Sequence, residues 1–119
     1  MRRRVLVVDD NLDYLRSMVL LLRTMGHESE FAINATAAIS VARLFRPDTI
    51  LVDVGLPDGD GRHLAGLFRR EPGLSDALIV CVTGRMYEDP RRSLEAGFDA
   101  HLVKPLDYSM IGRLLAQRR

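Results

Sequence analysis

Hydrophobic residues recur along the chain in two alternating kinds of segment. Short apolar runs predict strands at about residues 4–9, 27–32, 48–53, 77–82 and 100–103. Apolar residues spaced three and four positions apart predict helices at about residues 12–25, 35–45, 61–70, 90–96 and 107–117. Because strands and helices alternate strictly, the chain predicts one α/β domain over residues 1–119, with a parallel sheet, right-handed crossovers and helices on both faces.

Four of the five predicted helices have an apolar side that we expect to face the core. These residues are Leu12, Leu15, Val19, Leu20, Leu21, Leu22 and Met25 in the first helix, Ala38, Val41, Ala42 and Phe45 in the second, Leu64, Leu67 and Phe68 in the third, and Met110, Ile111, Leu114 and Leu115 in the last. Gly26 is expected to end the first helix, and Asn34 or Thr36 to begin the second. The polar alternation of residues 27–32 is typical of an edge strand.

The strand around Ile50, Leu51 and Val52 is apolar on consecutive positions, which predicts a strand covered on both faces. It ends on the carboxylate of Asp53. Ligands of open α/β sheets bind beyond the carboxyl ends of the strands, so Asp53 lies where chemistry is expected.

Composition narrows the class of protein. With 119 residues, 47% hydrophobic residues and a net charge of +1, the chain is expected to be soluble and globular, without direct nucleic-acid binding. No apolar run reaches the roughly 20 residues that cross a bilayer, and the short run after the first arginines does not resemble a signal peptide. We therefore expect a cytoplasmic protein without membrane contact. Arg2 to Arg4 and Arg118-Arg119 are expected to be solvent-exposed ends.

Cys81 is the only cysteine, which excludes an intrachain disulfide and a thiolate metal cluster. It lies within an apolar run, so we expect a buried, unreactive side chain. The basic residues are almost all arginine, because Lys104 is the only lysine among the 17 lysines and arginines. A compact ammonium on a flexible stem is therefore expected to matter at that position.

Parallel topology brings the carboxyl ends of all strands to one edge of the sheet. Asp9, Asp10, Asp53, Thr83 and Lys104 should therefore lie close together, although they are far apart in sequence. Three neighbouring carboxylates repel one another unless a cation lies among them, and an all-oxygen site suits Mg²⁺. The sequence thus predicts a magnesium site at this edge.

Carboxylate, metal, hydroxyl and ammonium together are typical of phosphoryl transfer. A carboxylate can attack phosphorus while the cations neutralise charge on the equatorial oxygens. We expect an aspartyl phosphate at Asp53.

These residues resemble those of the receiver domains of two-component response regulators. Asp9 and Asp10 are similar to the acidic pair of the family, Asp53 to its phosphoacceptor, Thr83 to its phosphate-sensing hydroxyl, and Lys104-Pro105 to its lysine and cis-proline. The resemblance implies a flavodoxin-like fold with strand order 2-1-3-4-5. It also implies that Asp10, Asp53 and the main-chain carbonyl of Gly55 bind Mg²⁺, with Asp9 acting through water.

The resemblance implies partners as well. A sensor histidine kinase or a histidine phosphotransfer protein would supply the phosphoryl group. Phosphorylation would then alter the face formed by the fourth helix, fifth strand and fifth helix. Through this face the domain would bind a downstream protein effector. The resemblance implies a monomer, or a weak dimer formed through the same face.

His101 departs from the family pattern, in which an aromatic residue lies three positions before the lysine. A histidine is smaller and titrates near neutrality, so we hypothesise that falling pH weakens its outward position in the activated state.

Two rival functions stay open at this point. A haloacid-dehalogenase-type phosphohydrolase also uses a nucleophilic aspartate, a hydroxyl residue and a lysine in this order, but it requires a second acid where this chain has Gly55. A phosphorylation-independent scaffold receiver would not need the complete set of site residues. We expect a protein that is not an enzyme beyond its own phosphorylation and dephosphorylation.

Overall fold

The structure, a computed structural model, describes residues 2–54, 61–84 and 90–116. Five strands and five helices alternate along these residues: β1 (Arg4–Val8), α1 (Leu12–Thr24), β2 (Glu28–Ala32), α2 (Ala35–Phe45), β3 (Thr49–Asp53), α3 (Gly61–Arg70), β4 (Leu78–Thr83), α4 (Pro90–Glu95), β5 (Ala100–Val103) and α5 (Tyr108–Leu115). The predicted order of elements is therefore confirmed, and the bounds agree with the prediction to within two residues. Gln117, the predicted end of the last helix, lies outside the described residues.

The strands form one sheet in the order β2-β1-β3-β4-β5, and every neighbouring pair is parallel. The α/β fold class and the strand order are both confirmed. β2 lies at an edge, as its polar alternation predicted, while β3 lies at the centre and has all its residues before Asp53 buried. The apolar run of β3 is explained by this position, because helices cover both faces of the sheet.

Side-chain alternation along the strands divides the core into two layers. Leu6, Val8, Ile50 and Val52 pack with α2 and α3 on one face. Val5, Val7 and Leu51 pack with α1 and α5 on the other face. The buried Cys81 belongs to the first layer, as its apolar surroundings predicted.

Helix ends follow the local sequence. Of the two predicted candidates, Asn34 is the N-cap of α2, and its side chain accepts a hydrogen bond from the Ala37 N–H. Asn11 and Asp107 cap α1 and α5 in the same way. Gly26 follows α1 with a φ of 92°, a left-handed conformation that costs glycine little.

Three leucines predicted to face the core are instead exposed. Leu12, Leu20 and Leu67 have 40%, 68% and 44% of their surface accessible, so the prediction was wrong for them. The buried side of α1 is a single stripe of Leu15, Met18, Val19 and Leu22. Because the buried residues of α1 recur every three or four positions, the residues between them, such as Leu20, point away from the sheet.

The predicted solvent exposure of Arg2 to Arg4 is confirmed for Arg2, wrong for Arg3 and only partly right for Arg4, whose side chain is 39% exposed. Arg3 is 7% exposed, and its Nε donates a hydrogen bond to the carbonyl of Leu115 at 3.0 Å. The Arg4 guanidinium lies 4.4 Å from the centre of the Phe45 ring and donates to the Phe45 carbonyl. Leu115 and Phe45 end α5 and α2, so these arginines satisfy carbonyls at helix C-termini. Arg118-Arg119 lie outside the described residues.

Every helix among the described residues is too short or too polar to span a bilayer.

Candidate functional site

The carboxyl ends of four strands meet at one edge of the sheet. Asp9 directly follows β1, and its N–H donates to the carbonyl of Ala32 at 3.1 Å. Asp53 ends β3 and Thr83 ends β4. Lys104 follows β5, and its N–H donates to the Thr83 carbonyl at 2.8 Å. Backbone hydrogen bonds between adjacent strands therefore position residues that come from distant parts of the chain.

Three carboxylates form a cluster at this edge. Asp9, Asp10 and Asp53 each offer an oxygen, and these oxygens lie within 4.8 Å of one another. Asp9 is buried, Asp53 is partly buried and Asp10 is exposed. The cluster is thus open toward solvent on the side of Asp10, which leaves access for an ion.

Lys104 provides the positive charge of the site. Its Nζ donates a hydrogen bond to Oδ2 of Asp9 at 2.5 Å and lies 3.8 Å from Oδ2 of Asp53. The other Asp9 oxygen accepts a hydrogen bond from the Asn11 N–H at 2.9 Å. Because a buried carboxylate is costly without partners, these two bonds explain how Asp9 is accommodated at 1% exposure.

Alternation separates the site into two sides. Asp53 lies two residues after Leu51 and therefore on the face that α1 and α5 cover. Thr83 lies two residues after Cys81 and therefore on the opposite face. His101 pairs with Cys81 across β4 and β5, so Thr83 and His101 are diagonal neighbours on one face. The hydroxyl is buried and the imidazole is partly buried.

Sequence reasoning missed Tyr14. The Nζ of Lys104 lies 4.4 Å from the centre of its ring, and the ring also packs against the core between the sheet and α1. Burial, followed by the charges of Asp9 and Asp53, raises the pKa of Tyr14 to about 12. An aromatic residue one helical turn after the acidic pair was the signal that could have identified it.

The structure describes one of two further predicted features, the cis peptide bond before Pro105, and not the other, the carbonyl of Gly55. The Lys104-Pro105 peptide bond is cis, as the resemblance implied. Gly55, whose carbonyl was predicted to bind the metal, lies outside the described residues, as do residues 56–60.

The donor set fits a magnesium ion. Carboxylate oxygens are the ligands that Mg²⁺ prefers, and it keeps several waters when only one or two carboxylates bind it. No cysteine or histidine belongs to the cluster within the described part of the chain, which argues against softer metals.

Comparison with known proteins agrees with this geometry. The sequence profile described as the response regulator receiver domain matches residues 5–115. The chain belongs to this family. The receiver is 40% identical over 104 residues to the transcriptional regulatory protein PrrA of Mycobacterium leprae, covering 86% of this chain and 43% of PrrA. It is 29% identical over 120 residues to the DNA-binding response regulator MtrA of Mycobacterium tuberculosis, covering all of this chain and 52% of MtrA. The receiver thus spans about half the length of these relatives.

Solved structures give the same result for the fold. The chemotaxis response regulator CheY4 of Vibrio cholerae superposes with a TM-score of 0.87 at 25% identity, with 97% of each chain covered. The receiver domain of sensor histidine kinase PA1611 of Pseudomonas aeruginosa superposes with a TM-score of 0.84 at 26% identity, covering 97% of this chain and 95% of that one. That structure has a magnesium ion in its active-site cleft. This protein is therefore a receiver domain of the two-component response regulator type.

Proposed function

We propose that Asp53 accepts a phosphoryl group from the phosphohistidine of a sensor histidine kinase or a histidine phosphotransfer protein. The observation that supports this most directly is the clustering of Asp9, Asp10 and Asp53 with the Lys104 ammonium 3.8 Å from Asp53. An anionic nucleophile and a compact cation at this separation are suited to a phosphoryl group placed between them.

In the proposed reaction an Oδ atom of Asp53 attacks phosphorus. An O–P bond forms, the P–N bond to the histidine breaks, and the histidine nitrogen leaves with the electron pair. Lys104 can turn from Asp9 toward the transferred oxygens, because its flexible stem allows the short movement. Asp9 would then rely on its bond from the Asn11 N–H and on the bound cation.

Asp10, Asp53 and the main-chain carbonyl of Gly55 would hold Mg²⁺, with Asp9 acting through water. When bound, the ion supplies positive charge that screens the carboxylates from one another and from the phosphoryl oxygens. The magnesium of the similar PA1611 receiver supports this assignment.

We assign the response to phosphorylation to the face formed by α4, β5 and α5. Thr83 would contact the phosphoryl group, and His101, its diagonal neighbour, would follow by changing position. A protein effector would bind this face, or a second copy would form a weak dimer through it.

If the outward position of the His101 side chain depends on pH, the affinity of the phosphorylated form for its effector should fall from mildly basic to mildly acidic buffer. An unchanged affinity would contradict this role of His101.

Catalysis would be limited to the phosphorylation and dephosphorylation of this domain. A dehalogenase-type phosphohydrolase would instead release phosphate from a small monoester with sustained turnover. A scaffold receiver would bind its partner equally well with Asp53→Asn. MtrA is a DNA-binding response regulator and PrrA is a transcriptional regulatory protein. We propose that this chain contributes the phosphorylation-dependent part of such a function rather than a nucleic-acid contact of its own.

The decisive experiment is incubation with acetyl phosphate and Mg²⁺ followed by intact mass spectrometry. We expect one phosphate adduct on the wild type and none on Asp53→Asn, because a neutral amide is a far weaker nucleophile than a carboxylate. Asp13→Asn is the matched control, since Asp13 is an exposed acid in the first turn of α1 and should leave the adduct unchanged. An adduct of equal yield on Asp53→Asn would overturn the proposal.

A further inference from the structure

An aromatic ring lies beside the only lysine of the chain, at the edge of the phosphoryl-transfer site. We propose that Tyr14 is a positioning residue for this reaction, and that its ring holds the Lys104 ammonium between Asp9 and Asp53 through a cation–π contact. This inference rests on the proposed phosphorylation of Asp53. It assigns the role to a residue of α1 that is neither a metal ligand nor a contact of the phosphoryl group.

The contacts of Lys104 show how little freedom the ammonium has. Its Nζ is 2.5 Å from Asp9 Oδ2, 3.8 Å from Asp53 Oδ2 and 4.4 Å from the centre of the Tyr14 ring. The lysine side chain is only 26% exposed. The two carboxylates and the ring therefore approach the ammonium together, and the ring is the only uncharged group of the three.

Contacts of its main chain and of its side chain hold Tyr14 in place. The Tyr14 N–H donates to Oδ1 of Asn11, the N-cap of α1, at 3.1 Å. The side chain also packs against the core layer under α1 and α5. With its pKa raised to about 12 by burial and by two neighbouring carboxylates, the phenol stays neutral in ordinary buffers. A neutral ring presents an electron-rich face, which attracts a cation.

The contact with the ring lowers the entropy that the Lys104 side chain loses when it reaches the transition state. A lysine on a flexible stem loses side-chain entropy when it is fixed in one place, and a group that is already positioned loses less on reaching the transition state. The ring adds a third contact to an ammonium that already lies 3.8 Å from Asp53 Oδ2. When a phosphoryl group forms on Asp53, the ammonium needs to move only a short distance to reach its oxygens.

The competing explanation is that Tyr14 only fills space in the core. Two substitutions separate the explanations, because Tyr14→Phe keeps a ring face and Tyr14→Leu keeps an apolar side chain without one. Tyr14→Leu should slow phosphorylation by acetyl phosphate about three- to tenfold, the range expected for a partly desolvated cation–π contact. Tyr14→Phe should restore most of the rate. Phe31→Leu is the matched control, since Phe31 is an exposed aromatic residue of β2, the edge strand farthest from β5.

A spectroscopic test reads the contact directly. Because Lys104 is the only lysine, lysine-selective isotope labelling gives a single side-chain NMR signal. We expect the Lys104 ε-protons of the wild type and of Tyr14→Phe to be shifted upfield by the ring. In Tyr14→Leu they should resemble free lysine. Thermal unfolding of each variant should show that all of them are folded.

A double substitution tests whether Tyr14 acts through Lys104. In a Lys104→Met background, Tyr14→Leu should cause no further loss of phosphorylation rate, measured over long incubations with saturating donor. The proposal is overturned if the lysine signal is the same in all three proteins, if Tyr14→Leu reacts at the wild-type rate, or if the loss persists without Lys104. If the wild type forms no adduct, the proposed function itself fails, and the NMR comparison still decides whether the contact exists.

Discussion

At the scale of single residues, the structure shows a histidine whose hydrogen bond requires it to be neutral. The Nδ1 atom of His27 accepts a bond from the Arg3 N–H at 2.9 Å, and an imidazolium has no lone pair to accept it. Burial, the largest cause, lowers the pKa of His27 below its ordinary value. Protonation of this side chain therefore opposes folding, because the unfolded chain binds the proton more readily.

The stability of the domain should consequently depend on pH through His27. Its contribution is present above the ordinary pKa of about 6.5 and is lost as pH falls through the lower folded value. We expect the wild-type melting temperature to decrease between about pH 7 and pH 5, and to decrease less in His27→Asn, whose amide oxygen can accept the same bond without titrating. Thermal unfolding followed by circular dichroism would measure this. His63→Asn, at an exposed histidine of α3, should keep the wild-type slope. Identical slopes in wild type and His27→Asn would show that the bond to Arg3 does not control the effect.

At the scale of elements, side-chain caps define where helices begin. The Oδ1 atom of Asn34 accepts a hydrogen bond from the Ala37 N–H at 2.8 Å, which satisfies one of the free N–H groups of the first turn of α2. The residue after the same helix, Arg46, has a φ of 53°, a left-handed conformation that ends the helical hydrogen bonding. The bounds of α2 are thus set by its own flanking residues.

Asn34→Ala should lower the free energy of unfolding by about 1 kcal/mol, because the Ala37 N–H would lose its side-chain partner. Ser40→Ala, at an exposed position within α2, is the matched control. Alanine is the better helix former, so this change should be neutral or slightly stabilising. Urea denaturation would measure both variants. Equal midpoints for Asn34→Ala and the wild type would mean that the cap contributes nothing to stability.

At the scale of the whole molecule, Arg69 connects parts of the chain that alternation alone does not bring together. Its guanidinium donates to Oδ2 of Asp99 at 2.5 Å and to the carbonyl of Ala77 at 2.6 Å. The same Asp99 oxygen accepts the Ile79 N–H at 2.8 Å. The end of α3, the start of β4 and the turn before β5 therefore share one partly buried network, in which the arginine and aspartate side chains are 22% and 18% exposed.

Arg69→Met should destabilise the domain by about 1–3 kcal/mol, because Asp99 would keep its charge and its burial but lose its cation. The lower part of that range allows for the remaining exposure of the pair. Arg70→Met removes a neighbouring exposed arginine of the same helix and should change stability by less than about 0.5 kcal/mol. Chemical denaturation would compare the two variants. Equal stabilities of Arg69→Met and Arg70→Met would contradict a structural role for this network.

The pattern of residues along the chain was enough to predict the order of elements, the edge position of β2 and the proximity of Asp9, Asp10 and Lys104 to Asp53. These features depend on local periodicity and on one topological rule, that parallel strands share a carboxyl edge. The cap at Asn34 was accessible for the same reason, since a cap and the N–H it satisfies are three residues apart.

Features that depend on contacts between distant parts of the chain could not be predicted in this way. Arg3 looked like a solvent-exposed end, but it is buried because α5, 112 positions later, places the Leu115 carbonyl beside it. Leu20 looked like part of the apolar side of α1, but the sheet covers one narrow stripe of that helix. Tyr14 contacts Lys104 only because α1 packs beside the end of β5. No local pattern encodes the burial of Arg3 or the exposure of Leu20, and the spacing of Tyr14 from the acidic pair does not show that Lys104 lies beside it. Each outcome depends on the packing of elements that are far apart in the chain.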